Sequence, residues 1–382
     1  MNNVIYLDNN ATTRMDEGVL EAMLPFLREQ YGNPASGHAL GRAARDAVER
    51  ARQAVARLIG GAAGRVIFTA SATEANNLAI FGLAAAAATP CHLITTLIEH
   101  KSVLEPAKHL EKNGRARVTW LRPDPWGQIH PETLQAALED ETRLVSVIAA
   151  SNVIHSVNPL AALAAVCASR GVLLHCDATQ MAGRLPLDAD RLGIDALSLS
   201  AHKLYGPKGV GALYLSRAAL QAGMTPQMLG GGQEDGLRSG TLNVPSIVGF
   251  GAACEIAERR QASDAARAGE LAQLLLDGLT QRVDGITLNG HPNERIPGGV
   301  HLTLDRVDSK GLMAVVPKLA FGDGAACETL RDPDYVLKAI GRPEAAHHSI
   351  RFQIGRTTTR AEIETAVRLL AAGIQRMRAL SL

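Results

Sequence analysis

Between Arg65 and Leu215 short β-branched, apolar runs alternate with segments of helical periodicity, and that alternation constrains the fold more than any other feature. Strand-like runs occur at Arg65–Thr69, Leu93–Thr95, Val118–Leu121, Leu144–Ala149, Val172–Cys176, Ala196–Leu199 and Gly211–Leu215. Helical spacing fills Gly37–Ile59, where Leu40, Ala44, Ala47, Val48, Ala51, Val55 and Leu58 share a face and Gly60-Gly61 supplies the stop. It resumes near Thr73 and again at Lys101–Asn113, Pro131–Glu139 and Pro159–Arg170. Repeated strand–helix–strand units predict an α/β fold with a mainly parallel sheet covered by helices. A long helical stretch from Pro245 to Arg282 predicts a bridge to a smaller α+β unit. That unit has strands at Ile286–Leu288, Val300–Leu304 and Ser349–Phe352 and a terminal helix from Arg360.

Composition excludes several functions. Lysine plus arginine is 39 and aspartate plus glutamate 38, a net charge of +1, which lacks the basic excess of a nucleic-acid binder. Aromatic residues make up 3 %, too few for base-stacking platforms. The five cysteines, Cys91, Cys167, Cys176, Cys254 and Cys327, are scattered and form no C-x-x-C pair, so neither a disulfide framework nor a zinc knuckle is expected. The first residues lack a signal peptide's basic and apolar regions, and the apolar stretch Leu78–Ile98 is broken by Gly82, Pro90 and His92. A reduced, cytoplasmic protein without a membrane span is expected.

Three tempting motifs carry no chemistry. Gly249-Phe250-Gly251 opens a helix instead of following a strand, and Cys254 stands where a dinucleotide fingerprint needs a small residue. The cluster Gly230–Gly236 is followed by Leu237-Arg238, not the Lys-Ser/Thr of a P-loop, and is expected to be a flexible loop. The pair His347-His348 has no ligand-spaced cysteine or carboxylate and reads as a surface turn.

The region Asp177–Lys203 is different. Asp177 ends an apolar strand, where parallel sheets hold their ligands; alone it would read as a helix cap or an ion pair. Lys203 follows another strand end beside Ser200 and His202, in a chain that has only eight lysines and otherwise uses arginine. Lysine forms Schiff bases and arginine does not. A lysine of this kind with an aspartate for a pyridinium nitrogen is what pyridoxal phosphate requires.

At this point the sequence resembles the cysteine desulfurases, pyridoxal-phosphate enzymes of fold type I in the class V aminotransferase group. The resemblance rests on Asp177-Ala178-Thr179-Gln180, Ser200-Ala201-His202-Lys203, Arg238-Ser239-Gly240-Thr241 and Ser349-Ile350-Arg351-Phe352, with Tyr6–Thr13 and Tyr31–Ser36 before them. It implies a large cofactor domain over 15–255 and a small domain from 1–14 with 256–382. It implies that Lys203 holds pyridoxal phosphate as a Schiff base, that Asp177 pairs with the pyridine nitrogen and that His100 stacks on the ring. Gln180 and Asn152 are expected at the ring hydroxyl, and Thr73, Ser200 and His202 at the phosphate. Thr241 is expected to reach that phosphate from the partner subunit of a homodimer. Arg351 is the expected clamp for the carboxylate of L-cysteine, assisted by Asn33. Cys327, within Gly324-Ala325-Ala326-Cys327, matches the nucleophile that takes the sulfur as a persulfide, leaving alanine and passing sulfur to an acceptor protein. Other chemistry on this scaffold, selenocysteine lysis or transamination, and a non-catalytic sulfur carrier are the alternatives.

The pattern departs from the family in three places. Asn152 is followed by Val153-Ile154-His155 where the family has a glutamate and then, one residue on, a glycine. Asp323 and Glu328 stand near Cys327, and acids raise a thiol pKa. The stretch from Cys327 to Tyr335 is about one residue shorter than usual, which limits the reach of the nucleophile. These departures resemble the specialised desulfurases of DNA phosphorothioation more than the general iron–sulfur assembly enzymes. In that reading sulfur passes to a protein and the chain itself does not touch DNA.

Overall fold

The computed structural model describes residues 4–85, 90–323 and 335–380. After a short first strand, β1 (Ile5–Tyr6), come β2 (Arg65–Thr69), β3 (Cys91–Thr96), β4 (Ala116–Leu121), β5 (Thr142–Ile148), β6 (Leu173–Asp177), β7 (Ala196–Ser200) and β8 (Gly211–Leu215). Strands β2 to β8 form one seven-stranded sheet in the order β2-β8-β7-β6-β5-β3-β4. β8 runs antiparallel to both its neighbours, and the remaining pairs are parallel. The expected alternation is therefore the observed one, with each strand end within about two residues of its sequence-based position.

A second sheet is built from β9 (Ile286–Leu288), β10 (Gly299–Leu304) and β12 (Ser349–Gln353), with β10 central and antiparallel to both. Between the last two lies β11 (Leu319–Ala320), which pairs in parallel with β1. Leu7 enters the same apolar core as Leu302, Phe352 and Ile374, so the first residues pack with the C-terminal part of the chain. A two-residue strand has too little pattern to be visible before its partner is known.

The helix Val244–Thr280 links the two cores. Its first half buries Val244, Ile247, Phe250 and Cys254 against the large sheet's core, and its last turns bury Leu271, Leu275 and Leu279 in the smaller one. Gly251 is there for packing: a Cβ would lie 2.6 Å from the Cα of Ala51 on the helix Ala39–Leu58. The Gly230–Gly236 segment, expected to be a flexible loop, is instead pinned by a buried ion pair. Glu234 receives Arg52 Nη1 at 2.7 Å and Nη2 at 2.9 Å, and its carboxylate also accepts the backbone N–H of Phe68 at 2.7 Å. Such a contact spans 182 residues and leaves no local signal. No helix among the described residues is long and apolar enough to cross a membrane.

Candidate active site

The carboxyl ends of the parallel strands converge on one cavity of about 320 Å³. Asp177 is the last residue of β6 and Ser200 the last of β7; His100 follows β3, and Asn152 follows β5. Lys203 and His202 lie in the 3-10 turn directly after β7, and Thr73 is in the first turn of the helix Ala72–Ala85 after β2. Gln180 and Arg351 complete the expected residues on this cavity, which Asn10, Ser71, Ser102 and Thr179 also line. The helix start is close to the sheet because residue 211 is glycine: a Cβ there would lie 2.8 Å from the Ala72 nitrogen. First-turn amides have no acceptor within their helix and favour an anion.

Burial sets the protonation of the site. Lys203 is lowered from 10.5 to about 7 by desolvation first, then by the cations of Arg184 and Arg351, against the pull of Asp8 and Asp177. Its Nζ donates to the carbonyls of Asn10 and of Ala11, the latter at 2.9 Å. A half-neutral amine at physiological pH is a competent nucleophile. Burial, with Lys203 and Lys208, lowers His202 to about 4, so the imidazole is neutral. Its Nδ1 lies 3.1 Å from Thr12 Oγ1. Glu99, wholly buried, is raised to about 8 by desolvation, and its Oε1 accepts from Thr96 Oγ1 at 2.8 Å and from the Ile148 N–H at 2.7 Å.

Asp177 and His100 are joined by two residues that sequence reasoning missed. Asn76 Nδ2 lies 2.8 Å from Asp177 Oδ2 and 2.8 Å from Ser102 Oγ. Ser102 Oγ is in turn 2.7 Å from His100 Nδ1. The second oxygen of Asp177 accepts the Thr179 N–H at 3.0 Å. Asn76 looks like one more polar residue on an apolar helix, and only the fold shows that it faces Asp177, 101 residues away.

Like Arg184, Asn10 is a further residue that sequence reasoning missed. Its Nδ2 donates to the Asn152 carbonyl at 3.0 Å and lies 2.8 Å from His155 Nε2, while its Oδ1 accepts Arg184 Nη1 at 3.1 Å. Arg184 also donates to Gln180 Oε1 at 2.6 Å and so sets the Gln180 amide. Arg351 is 7 % exposed; Nη1 donates to the Asn152 carbonyl at 3.0 Å and Nη2 pairs with Asp8 Oδ1 at 3.2 Å. Its Nε is buried without a hydrogen-bond partner, against Gly322.

Asn33 and Thr241 are not on this cavity. They line a separate hollow with Phe26, Tyr31 and Leu242, and Asn33 Oδ1 accepts the Ala35 N–H at 2.9 Å. The Arg238–Glu74 ion pair, at 2.7 Å, ties the loop before Thr241 to the helix that starts at Ala72. Cys327 lies outside the described residues, as do the shortened stretch's residues 328–334. The described chain on either side of it meets the site: Gly322 pairs with Arg351, and Tyr335 Oη donates to the Glu99 carbonyl at 2.7 Å. Cys91, Cys167, Cys176 and Cys254 are all buried, and burial pushes every one of these thiols up.

The changed segment after Asn152 has a physical account. Val153 and Ile154 are buried with Ile98 and Ile148 against Val336, Leu337 and Ile340, where an apolar pair suits and a glutamate would not. His155 has φ of 66°, the left-handed conformation that favours glycine, and is held there with its ring fully buried.

The residues fit pyridoxal phosphate. The cavity offers a near-neutral lysine, a buried carboxylate and a helix start, and two buried acceptors on its wall, Asn152 Oδ1 and Thr179 Oγ1, lack protein partners. Comparison with known proteins agrees with the architecture. The chain matches the family Aminotransferase class-V over residues 5–365. It is 44 % identical to the cysteine desulfurase IscS of Anaeromyxobacter dehalogenans (strain 2CP-C) over 381 residues, 99 % of this chain and 94 % of that protein. It is likewise 44 % identical to the cysteine desulfurase IscS of Rickettsia felis, covering 99 % of this chain and 92 % of that one. Among solved structures a NifS-like protein superposes with a TM-score of 0.90 at 32 % identity, over 98 % of this chain and all (100 %) of the other. The structure titled SspA in complex with cysteine gives 0.81 at 32 % identity, over 93 % of this chain and 100 % of that one. The chain therefore belongs to the class V aminotransferase family and, within it, to the cysteine desulfurases.

Proposed function

We propose that this chain is a pyridoxal-phosphate-dependent cysteine desulfurase that moves sulfur from L-cysteine to Cys327 and leaves L-alanine. The observation that carries the reading is the single cavity in which near-neutral Lys203 meets Asp177 and Arg351. Pyridoxal phosphate supplies an electron-withdrawing ring that lets the substrate Cα release its proton. Lys203 would carry the cofactor through Nζ, and its amine is placed to take the Cα proton and return one to the carbon skeleton. Asp177 keeps the pyridine nitrogen protonated, His100 covers the ring, and Gln180 and Asn152 address its hydroxyl. Thr73, Ser200 and His202 hold the phosphate, and Arg351 orients the substrate carboxylate.

The Cys327 thiolate then attacks the substrate sulfur. An S–S bond forms and the C–S bond breaks; its electron pair stays with carbon, which is protonated to the methyl group of alanine. Cysteine and a thiol become alanine and a persulfide, so the step needs no outside oxidant. The buried state of the other four cysteines supports Cys327 in this role. Protein persulfide is to be measured after adding L-cysteine without reductant, and alanine after adding L-cysteine with a reductant that regenerates the thiol, each for wild type and Cys327→Ser. Both products from wild type and neither from the variant are expected, whereas equal alanine from both would overturn the assignment.

The cofactor unit is 15–255, and 1–14 with 256–382 form the unit that carries Cys327 and Arg351. The enzyme works as a cytoplasmic homodimer in which Thr241 reaches the partner subunit's phosphate site. The separate hollow that Thr241 shares with Asn33 is consistent with a role outside its own subunit's cavity. A monomer by light scattering, or full cofactor affinity in Thr241→Ala, would argue against it. The sulfur acceptor is a protein, and the altered segment Asn152–His155 favours a phosphorothioation partner. Capture of only an iron–sulfur scaffold protein in a pull-down would reverse that choice.

A further inference from the structure

We infer that Asn76 and Ser102 are positioning residues that hold His100 as the Nε2–H tautomer and tie its ring to Asp177. The hydrogen bonds permit one arrangement. The Ser102 backbone N–H points at His100 Nδ1 at 3.2 Å, so Nδ1 carries a lone pair and no proton. Ser102 Oγ, 2.7 Å from the same nitrogen, is therefore the donor, which leaves its own lone pairs for Asn76 Nδ2 at 2.8 Å. The second hydrogen of that amide goes to Asp177 Oδ2 at 2.8 Å. The amide thus presents nitrogen and not oxygen to Asp177, whose other oxygen accepts the Thr179 N–H at 3.0 Å.

Two further observations agree. Asn76 is fully buried, the one polar side chain buried in the helix Ala72–Ala85, and its Oδ1 has no partner. A residue needed only for packing would not leave a buried carbonyl unpaired. Burial holds His100 below the ordinary histidine range, aided by the Lys203 and Lys101 cations and opposed by Asp177, which keeps Nδ1 free to accept.

With Nδ1 engaged by Ser102, the polar ring atom left to serve a ligand in the cavity is Nε2–H. His100 thus offers the substrate a hydrogen-bond donor and resists acting as a base. This catalytic consequence rests on the desulfurase reading; the tautomer does not.

The test is long-range proton–nitrogen NMR of the holoenzyme labelled with 15N-histidine, with His100 assigned from the signals missing in His100→Gln. Wild type is expected to show protonated Nε2 and bare Nδ1. Ser102→Ala is expected to shift both nitrogens and to lower kcat for alanine about tenfold with KM for L-cysteine within about twofold. Asn76→Leu should behave alike, and Ser102→Thr, which keeps the hydroxyl, should recover the wild-type signals. An Nδ1–H or doubly protonated ring in wild type overturns the inference, as does Ser102→Ala that leaves both signals and kcat unchanged. The wild-type spectrum decides even where a variant fails to fold. Absence of alanine from wild type would sink the desulfurase reading alone.

Discussion

Gly322 and Arg351 exchange both backbone hydrogen bonds, at 2.9 Å in each direction. A Cβ on Gly322 would lie 3.1 Å from Arg351 Nη2, so glycine lets the guanidinium lie back over its cross-strand partner and reach Asp8. The chain therefore enters the segment that carries Cys327 directly from the proposed carboxylate clamp.

Arg351→Lys should raise KM for L-cysteine about 10- to 100-fold, because an ammonium cannot reproduce a planar bidentate fork and charged hydrogen bonds contribute about 1.5–3 kcal/mol. Steady-state alanine formation measures it. An unchanged KM would remove Arg351 from substrate binding.

The buried Lys203 predicts a pH-dependent stability for the cofactor-free protein. Its pKa is lowered from 10.5 to about 7, so between those values the unfolded chain holds a proton that the folded chain does not. Stability contributed at this position therefore rises with pH across that window and is lowest below it, with a limiting slope of about 1.4 kcal/mol per unit. Urea unfolding of wild type and Lys203→Met at pH 7, 8 and 9 should show wild type gaining on the variant. Parallel curves would show that the ammonium is not desolvated.

At His155, glycine should be tolerated better than alanine. Both substitutions remove the buried ring and its contact with Asn10, but only alanine keeps a Cβ at φ of 66°. His155→Gly is expected to be about 1 kcal/mol more stable than His155→Ala by denaturant midpoint. The reverse order would mean that the left-handed backbone carries no strain.

Removing Glu234 should destabilise the fold by about 3 kcal/mol, since buried Arg52 would keep only the more exposed Glu49 as an ion-pair partner. Calorimetry of Glu234→Ala checks the size of the loss, and the double variant Arg52→Met with Glu234→Leu should recover much of it. A loss below about 1 kcal/mol would show that water reaches Arg52 readily.

The sequence by itself determined the sheet, the long connecting helix and the strand ends that place Asp177 and Lys203. Hydrophobic periodicity is a local property, and a strand end before a turn marks a ligand position before any coordinates are known. Asp177 was legible because it ends a strand and Lys203 because it closely follows one; Thr73 was legible because it stands at a helix start. The resemblance added His100, Gln180, Asn152 and Arg351, whose residue types alone would have read as caps or ion pairs.

Tertiary structure decided the rest. Asn10, Asn76, Ser102 and Arg184 act through partners that in several cases lie more than a hundred residues away, and no local pattern encodes such a pairing. The same holds for Glu234 with Arg52 and for β1 with β11. Protonation was equally hidden, because the lowered pKa of Lys203 comes from desolvation and from Arg184 and Arg351, which only the folded chain brings together. Side-chain type is written in the sequence, whereas the dielectric and the neighbours that tune it exist only once the strands have closed around them.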